Sequence, residues 1–265
     1  MKPNALVLQA HGSNRDFDVI EALTLGGADA VGIPLNELRR NKTLLSDFQL
    51  LVVPGGFSYA DALGAGRLLA LDLASYFAEE ISTFVESGKP VIGICNGFQA
   101  LVKSGILPGE SISPTGRGVR GEGATLTFNA QGHFECRWVT LKPVSQKSIW
   151  TKGLDELIEC PVAHGEGNFQ TSSLFPLSSF IANDQIALVY AHPNGSPADG
   201  AYPVNPNGSI NDIAGICNPS GNVLGLMPHP ENHIHPFQHP LWTRGISRNC
   251  GLALFKNGVR YAAES

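Results

Sequence analysis

Short runs of apolar residues alternate with longer segments in which apolar residues recur at helical spacing. Short apolar runs bounded by turn residues predict buried strands, and the longer amphipathic segments predict helices. In the first hundred residues the predicted strands are Ala5 to Leu8, 29–34, Leu50 to Val53 and Val91 to Ile94, and the predicted helices are 17–28 and Arg67 to Ser87. This alternation predicts a parallel sheet covered on both faces, with ligands at the carboxyl ends of its strands.

The pattern loosens after about residue 110. A Gly- and Ser-rich stretch, 109–123, predicts a loop. Further strands of the same sheet are predicted within 133–141, 186–190, 212–218 and 222–229, and a final helix within 249–263. With no repeat and no linker, we predict one α/β domain over residues 1–265. Its central sheet is mostly parallel, with helices on both faces and a few extra antiparallel strands.

Composition narrows the class of protein. Hydrophobic residues make up 43% of the chain, charged residues 15%, and the net charge is −5. Without a basic stripe, nucleic acid is not expected as a partner. No apolar run approaches a membrane span, and the N-terminal run is too short for a signal peptide. The five cysteines are odd in number and form no CxxC pair, which favours a reducing cytoplasm.

A cysteine between two glycines follows the fourth predicted strand, in "GICNG" from Gly93 to Gly97. This spacing resembles a nucleophile elbow, where a sharp strand-to-helix turn strains the central residue and the glycines avoid collisions. The helix N-terminus would favour a Cys95 thiolate. The N–H of Asn96 could form half of an oxyanion hole. A buried cysteine at a glycine-rich turn, with no chemistry, is the alternative.

A nucleophile needs a base, and "GLMPHPE" offers the best context among the eight histidines. Pro230 disfavours a helical conformation at His229, so His229 and Glu231 should point the same way from an extended chain. The carboxylate would then orient the imidazole, as in a catalytic triad. Two alternatives stay open at this point. One is a metal site in the His-rich 229–239 segment, although its prolines argue against an HExxH helix; the other is a proline-rich surface loop.

A second glycine-rich turn, "VPGGFSYAD", follows the third predicted strand. Its backbone N–H groups, near Gly56 and Phe57, could supply the other half of the oxyanion hole. Pro-Gly-Gly turns are common, so this turn alone is a weak signal.

Together these pieces resemble the class I (triad) glutamine amidotransferases, which have a flavodoxin-like sheet. Within that family they are most similar to the glutaminase subunits of phosphoribosylformylglycinamidine synthase. The resemblance runs almost end to end; one departure is Ala60, where the family usually carries glycine. Its six motifs are "GSNRD", "PGGFSYAD", "GICNGFQ", "PVAHGEGNF", "NPNGSINDIAG" and "GLMPHPE".

The resemblance implies a catalytic triad of Cys95, His229 and Glu231 acting on L-glutamine. Gln99 looks like a binder of that substrate, and His164 and Glu166 are expected either to shape the same pocket or to form a structural turn. The resemblance also implies no cofactor and no metal in this chain. It implies ammonia transfer to a synthetase subunit that uses ATP and magnesium, and a small third subunit.

Two other function classes fit parts of the pattern. One is a cysteine hydrolase or deglycase-like enzyme on a related sheet, which glutamine-dependent ammonia release would distinguish. The other is an interaction module that has lost its chemistry, against which the intact set of Cys95, His229 and Glu231 argues. The resemblance assigns no role to 232–248, which is richer in His and Pro than expected.

Overall fold

The computed structural model describes residues 1–109, 123–173, 175–245 and 250–265. The predicted loop over 109–123 therefore lies outside the described residues except at its ends. The strands are β1 Asn4–Gln9, β2 Asp29–Pro34, β3 Leu50–Val53, β4 Val91–Ile94, β5 Ala124–Thr127, β6 Glu135–Pro143, β7 Ile158–His164, β8 Asn168–Thr171, β9 Ile186–Ala191, β10 Ile213–Cys217 and β11 Val223–Leu226. The helices are α1 Asp16–Gly26, α2 Leu35–Arg40, α3 Arg67–Ser75, α4 Ala78–Glu86, α5 Asn96–Lys103, α6 Leu177–Ala182 and α7 Leu252–Glu264.

In the described part of the chain, nine strands form one sheet in the order β2-β1-β3-β4-β11-β10-β9-β6-β7. The pairs from β2 to β11 are parallel, and those from β11 to β7 are antiparallel. β5 and β8 form a separate antiparallel ribbon. This mixed α/β sheet confirms the predicted fold class, and no described helix is long and apolar enough to cross a membrane.

Strands β3, β4 and β11 are buried along their whole length. They read as unbroken apolar runs because helices cover both faces of a parallel sheet. α1 packs against α7, while α3 packs against α4 and α5, so the helices form two groups over the parallel half. The carboxyl ends of β3, β4 and β11 therefore lie side by side in the middle of the sheet. Each of these strands leads into one of the predicted site motifs.

The antiparallel half curls back over those strand ends. Four strands separate β4 from β7 in the sheet order, so a flat sheet would hold them about 24 Å apart at ~4.8 Å per strand. Yet the Cys95 Sγ, just after β4, lies 3.6 Å from the carbonyl oxygen of Ala163 in β7. The free edge of β7 is thus brought to the end of β4. The sheet encloses the site that its central strands form.

Two features differ from the sequence predictions. The helix predicted over Arg67 to Ser87 is broken between α3 and α4, where Phe77 leaves helical geometry (φ −122°) and buries its ring. Strands β5, β7 and β8 and the short helices α2 and α6 were not predicted. In β7 the alternate residues Ile158, Cys160, Val162 and His164 are buried, a period-two signal that "PVAHGEGNF" interrupts with proline and glycine. The division of the chain into domains stays a prediction.

Gly97 is placed where no side chain fits. A Cβ built on it would lie 1.9 Å from the carbonyl oxygen of Val53, a backbone atom that cannot swing away. We expect Gly97→Ala to lower the free energy of unfolding by about 3 kcal/mol, because the α5–β3 contact must open. The matched control is Gly165→Ala, whose Cβ would approach nothing closer than 3.7 Å. Urea unfolding of both variants tests this; equal stabilities would contradict the predicted collision.

Candidate active site

Cys95 occupies the sharp turn between β4 and α5. Its backbone has φ 51° and ψ −106°, a conformation that side chains rarely adopt, and its N–H donates to the carbonyl of Leu226 at 2.8 Å. A Cβ on Gly93 would lie 2.9 Å from the carbonyl oxygen of Gly97, so both flanking glycines are required by crowding. The strained elbow predicted from the sequence is confirmed. It places the thiol at the N-terminus of α5.

His229 and Glu231 lie together in the turn that follows β11. The Nδ1 of His229 is 2.7 Å from Oε1 of Glu231, and both side chains are buried. Burial by itself would lower the pKa of His229. The Glu231 carboxylate, the Cys95 thiolate and hydrogen bonds to both side chains outweigh it and raise that pKa to about 10. The three side chains therefore form one connected, buried group, which excludes the alternative of a surface loop at 228–231.

Backbone carbonyls of β7 contact two members of this group, His229 and Cys95. The carbonyl of Pro161 accepts the N–H of His229 at 2.8 Å, and the carbonyl of Ala163 contacts Cys95. A third carbonyl on this edge, that of Glu159, interacts with Nδ1 of His233 at 2.5 Å. Because β7 is the last strand in the sheet order, its outer edge accepts contacts from residues outside the sheet.

The His- and Pro-rich segment packs onto the same edge. Nε2 of His239 lies 3.1 Å from the Glu159 carboxylate, and Trp138 makes edge contacts with the rings of His233 and His239. These contacts fasten the chain that follows the His229 turn. No group of three or more His, Cys, Asp or Glu among the described residues is arranged to hold a metal ion. Residues 246–248 of the segment lie outside the described residues.

The predicted oxyanion loop lies between His229 and the loop after β1. The His229 ring packs on Gly55, where a Cβ would come within 2.8 Å of the ring. Gly56 has φ +124° and forms an isolated antiparallel bridge with Ser13. The N–H of Phe57 donates to the carbonyl of Gly12 at 3.0 Å. In this conformation the N–H of Phe57 is not available to bind an oxyanion. Its predicted role in the oxyanion hole therefore requires the Gly56–Phe57 peptide to rotate.

The turn after Phe57 is unusually strained. Tyr59, Ala60 and Asp61 all have φ between 52° and 55°, although left-handed geometry costs a residue other than glycine about 1 kcal/mol. Two side-chain contacts with Asn96 hold this turn to α5. The Ser58 hydroxyl donates to Oδ1 of Asn96 at 2.5 Å, and Nδ2 of Asn96 donates to Asp61 at 2.8 Å. The oxyanion loop and the elbow are therefore coupled.

Gln99 is buried one turn into α5, where it bridges to the loop after β7. Its Nε2 donates to the Glu166 carbonyl at 2.7 Å, and its Oε1 accepts from Asn96 at 3.3 Å. The Glu166 carboxylate points away, toward Lys103 Nζ at 3.7 Å and the N–H of Ala65 at 3.4 Å. Both residues lie at the site, but these contacts show them positioning the loop 164–167 rather than presenting free polar groups.

His164 ends β7 and is 3% exposed. Burial, and then the positive charge of His229, lower its pKa to about 3, so its imidazole is neutral. Its Nδ1 lies 3.2 Å from Oδ1 of Asn129. The ring fills space that Gly167 leaves open, since a Cβ there would come within 2.4 Å of it. His164 was expected near the pocket from the sequence, and in the structure it is close enough to His229 for the charge of that ring to lower its pKa.

Several supporting residues were missed by sequence reasoning. Asn207, fully buried, donates through Nδ2 to the Gly167 carbonyl at 2.8 Å and to the Tyr190 hydroxyl at 3.1 Å. Ser209 also donates to Gly167, at 3.3 Å. The side chains of the "NGS" stretch, 207–209, therefore stabilise the 164–167 loop by donating to its backbone. An asparagine side chain in a turn motif needs a hydrogen-bond partner if it is buried. The sequence alone does not show which residue that partner is.

We expect Asn207→Ala to lower the free energy of unfolding by about 1–3 kcal/mol, because it removes the buried donor shared by the Gly167 carbonyl and the Tyr190 hydroxyl. Asn194→Ala is the matched control, since that side chain caps an exposed turn at Ser196. Urea unfolding compares the two variants. A cost in Asn207→Ala no larger than that in the control would contradict this account of the loop.

Comparison with known proteins agrees with this site. Residues 2–262 match the family model described as the CobB/CobQ-like glutamine amidotransferase domain. The chain is 56% identical over 268 residues to a phosphoribosylformylglycinamidine synthase subunit PurQ from Treponema denticola, covering 98% of this chain and 99% of that protein. It is 41% identical over 267 residues to the protein of the same name from Dehalococcoides mccartyi, covering 99% of each.

A solved structure is similar as well. A chain in the structure of PurLQS from Thermotoga maritima is 31% identical and superposes with a TM-score of 0.73, over 98% of this chain and 99% of that chain. The family match, the two relatives and the solved structure each extend over nearly the whole chain, so the resemblance is not confined to the elbow. The chain belongs to the glutamine amidotransferase family.

Proposed function

We propose that this chain is the glutaminase subunit of a phosphoribosylformylglycinamidine synthase. It hydrolyses L-glutamine and passes ammonia to a synthetase subunit, which converts formylglycinamide ribonucleotide to the amidine with ATP in purine biosynthesis. The observation that carries the chemistry is the buried, connected group of Cys95, His229 and Glu231. The names of the relatives support the pathway assignment.

In the first half of the reaction, the Cys95 thiolate attacks the side-chain amide carbon of glutamine. The carbonyl oxygen becomes an oxyanion, held by the N–H of Asn96 at the start of α5 and by that of Gly56. Phe57 joins them once its peptide turns away from Gly12. The imidazolium of His229 then gives its proton to the amide nitrogen as the C–N bond breaks, which releases neutral ammonia and leaves a γ-glutamyl thioester.

In the second half, His229 is neutral and takes a proton from water as the water attacks the thioester. The C–S bond breaks, glutamate leaves, and Cys95 returns to the thiolate beside the imidazolium. Glu231 keeps Nδ1 of His229 protonated and stabilises the charge that the ring gains. Gln99 and Glu166 hold the wall of the glutamine pocket through their contact with each other.

The synthetase partner follows from the fate of ammonia, which water would protonate, whereas the small third subunit is implied by the resemblance to the family and the cytoplasmic location by the cysteine content. We infer a closed path to the synthetase subunit, a small third subunit in the assembly, and a cytoplasmic location. Apart from water, this hydrolysis uses only side chains and backbone N–H groups of this chain. We infer that the synthetase subunit binds ATP and Mg²⁺ and that its amide activation consumes the ATP.

The experiment that tests this function combines the purified chain with its synthetase and small subunits. Glutamine should support amidine formation only when this chain is present, whereas ammonium salts should support it without the chain. If ammonium salts support turnover but glutamine does not, even in the full assembly, the assignment is wrong.

A further inference from the structure

His164 has a buried nitrogen that no step above uses. Its Nε2 is inaccessible to solvent and has no hydrogen-bond partner among the described residues. Buried polar atoms are almost always partnered, and an exception in a native site calls for a ligand or a water. The neighbouring groups determine which kind of partner this nitrogen can take.

Asn129 determines the tautomer of His164. The Nδ2 of Asn129 donates to the carbonyls of His133 at 3.0 Å and His164 at 2.8 Å, which fixes the orientation of the amide. Its Oδ1 then accepts from the N–H of Gly167 at 2.9 Å and from Nδ1 of His164 at 3.2 Å. Nδ1 therefore carries the hydrogen of the neutral ring. Nε2 is left with a lone pair, and it can accept but not donate.

The alternation of side chains along β7 places the His164 ring on the buried face of the strand. Cys160, Val162 and His164 share the buried face of the strand. Burial raises the pKa of the Cys160 thiol, the charge of Glu231 raises it further, and a hydrogen bond with the His229 backbone lowers it, so Cys160 is near both catalytic residues. The carbonyl of Ala163, next to His164, contacts Sγ of Cys95. His164 thus ends the face that looks onto the catalytic group.

We propose that Nε2 of His164 accepts a hydrogen bond from the ammonia that leaves the substrate. When His229 gives its proton to the amide nitrogen and the C–N bond breaks, the product is NH₃ with hydrogens to donate. A neutral ring that presents only a lone pair holds this molecule without protonating it. Because the ring resists protonation, with a pKa of about 3, it does not compete with ammonia for the proton. This inference rests on the proposed function.

His164→Leu and His164→Gln form the test pair, measured in the assembled complex. Leucine removes the acceptor, whereas glutamine offers a carboxamide oxygen in its place. We expect the glutamine-dependent kcat to fall about 10- to 100-fold in His164→Leu and to recover substantially in His164→Gln. The KM for glutamine should stay within about threefold, because the contact forms as the amine leaves.

A diazo-ketone analogue of glutamine separates this role from a merely structural one. The analogue alkylates Cys95 but has no amide nitrogen to release. Its labelling rate should therefore be the same in both variants as in the unaltered chain. Labelling that slows in parallel with kcat would show a collapsed pocket and overturn the proposal, as would a kcat in His164→Leu within threefold of normal.

Histidine ¹⁵N NMR of the unaltered complex tests the proposal without any substitution. Nε2 of His164 should resonate as an unprotonated nitrogen from pH 6 to 8, assigned by comparison with His164→Gln. A protonated Nε2 would overturn the proposal even if His164→Leu fails to fold. Failure of the unaltered complex to use glutamine would instead refute the proposed function, so the two failures are distinguishable.

Discussion

Cys95→Ala is expected to remove glutamine-dependent amidine synthesis, by about 10⁴-fold or more, while ammonia-dependent synthesis by the complex survives. Without the sulfur no thioester can form, and the remaining donors at Gly56 and Asn96 cannot replace a nucleophile. The fold should persist, because the elbow geometry depends on Gly93 and Gly97 rather than on the thiol. Rates with glutamine and with ammonium chloride, measured on the same complex, check both halves of this prediction.

Cys136→Ala serves as the control for that experiment. Cys136 is a free, exposed thiol outside the catalytic group, so its loss should leave both rates unchanged. The diazo-ketone should label Cys95 in the unaltered chain and in the control, but no thiol in Cys95→Ala. Glutamine-driven turnover that persists in Cys95→Ala would show that another group is the nucleophile.

Glu231→Gln is expected to lower the glutaminase kcat by about 10³–10⁴-fold, as loss of the orienting carboxylate does in other triads. Burial alone lowers the pKa of His229, and the largest opposing effect is the charge of Glu231. Without that charge the His229 pKa falls, and the imidazolium that must protonate the leaving amine becomes scarce. The alkaline limb of kcat/KM should therefore move to lower pH in the variant.

We expect the stability contributed by the His229–Glu231 ion pair to decrease as pH rises. The His229 pKa is raised to about 10 in the folded chain, against 6.5 for the free side chain. Its ion pair with Glu231 therefore contributes fully below pH 6.5, and this contribution is lost progressively as pH rises from 6.5 through about 10. The free energies of unfolding of the normal chain and Glu231→Gln should converge across that window. Glu156→Gln, an exposed carboxylate, is the control, and a gap that widens with pH would contradict the coupling.

Much of the site could be predicted because its motifs are local. The elbow needs only an apolar strand, two small residues and a central cysteine, and the geometry of Cys95 confirms it. The pairing of His229 with Glu231 was predicted from i, i+2 spacing in an extended chain; the 2.7 Å contact is present, but Glu231 lies in a short 3₁₀ helix, Pro230–Asn232, that begins after His229. Both features depend on the backbone preferences of a few neighbouring residues, and these preferences can be inferred from the residue types.

Long-range contacts could not be predicted in the same way. The 59–61 turn reads as an ordinary loop, because its left-handed backbone is maintained by contacts with Asn96 from another element. The same holds for Asn129, whose amide fixes the tautomer of His164 from a segment that the sequence left unassigned. The engaged N–H of Phe57 is a further case, since its acceptor, Gly12, lies in the loop after β1.

By itself, then, the sequence determined the α/β class, the nucleophile elbow and the histidine–glutamate pair, since each arises from periodicity or steric limits within a few residues. Only the tertiary structure decided how these parts meet. The curl of the antiparallel half brings the edge of β7 to the end of β4, where backbone carbonyls hold His229 and contact Cys95. Such an approach depends on packing summed over the whole sheet, which no short stretch of residues encodes.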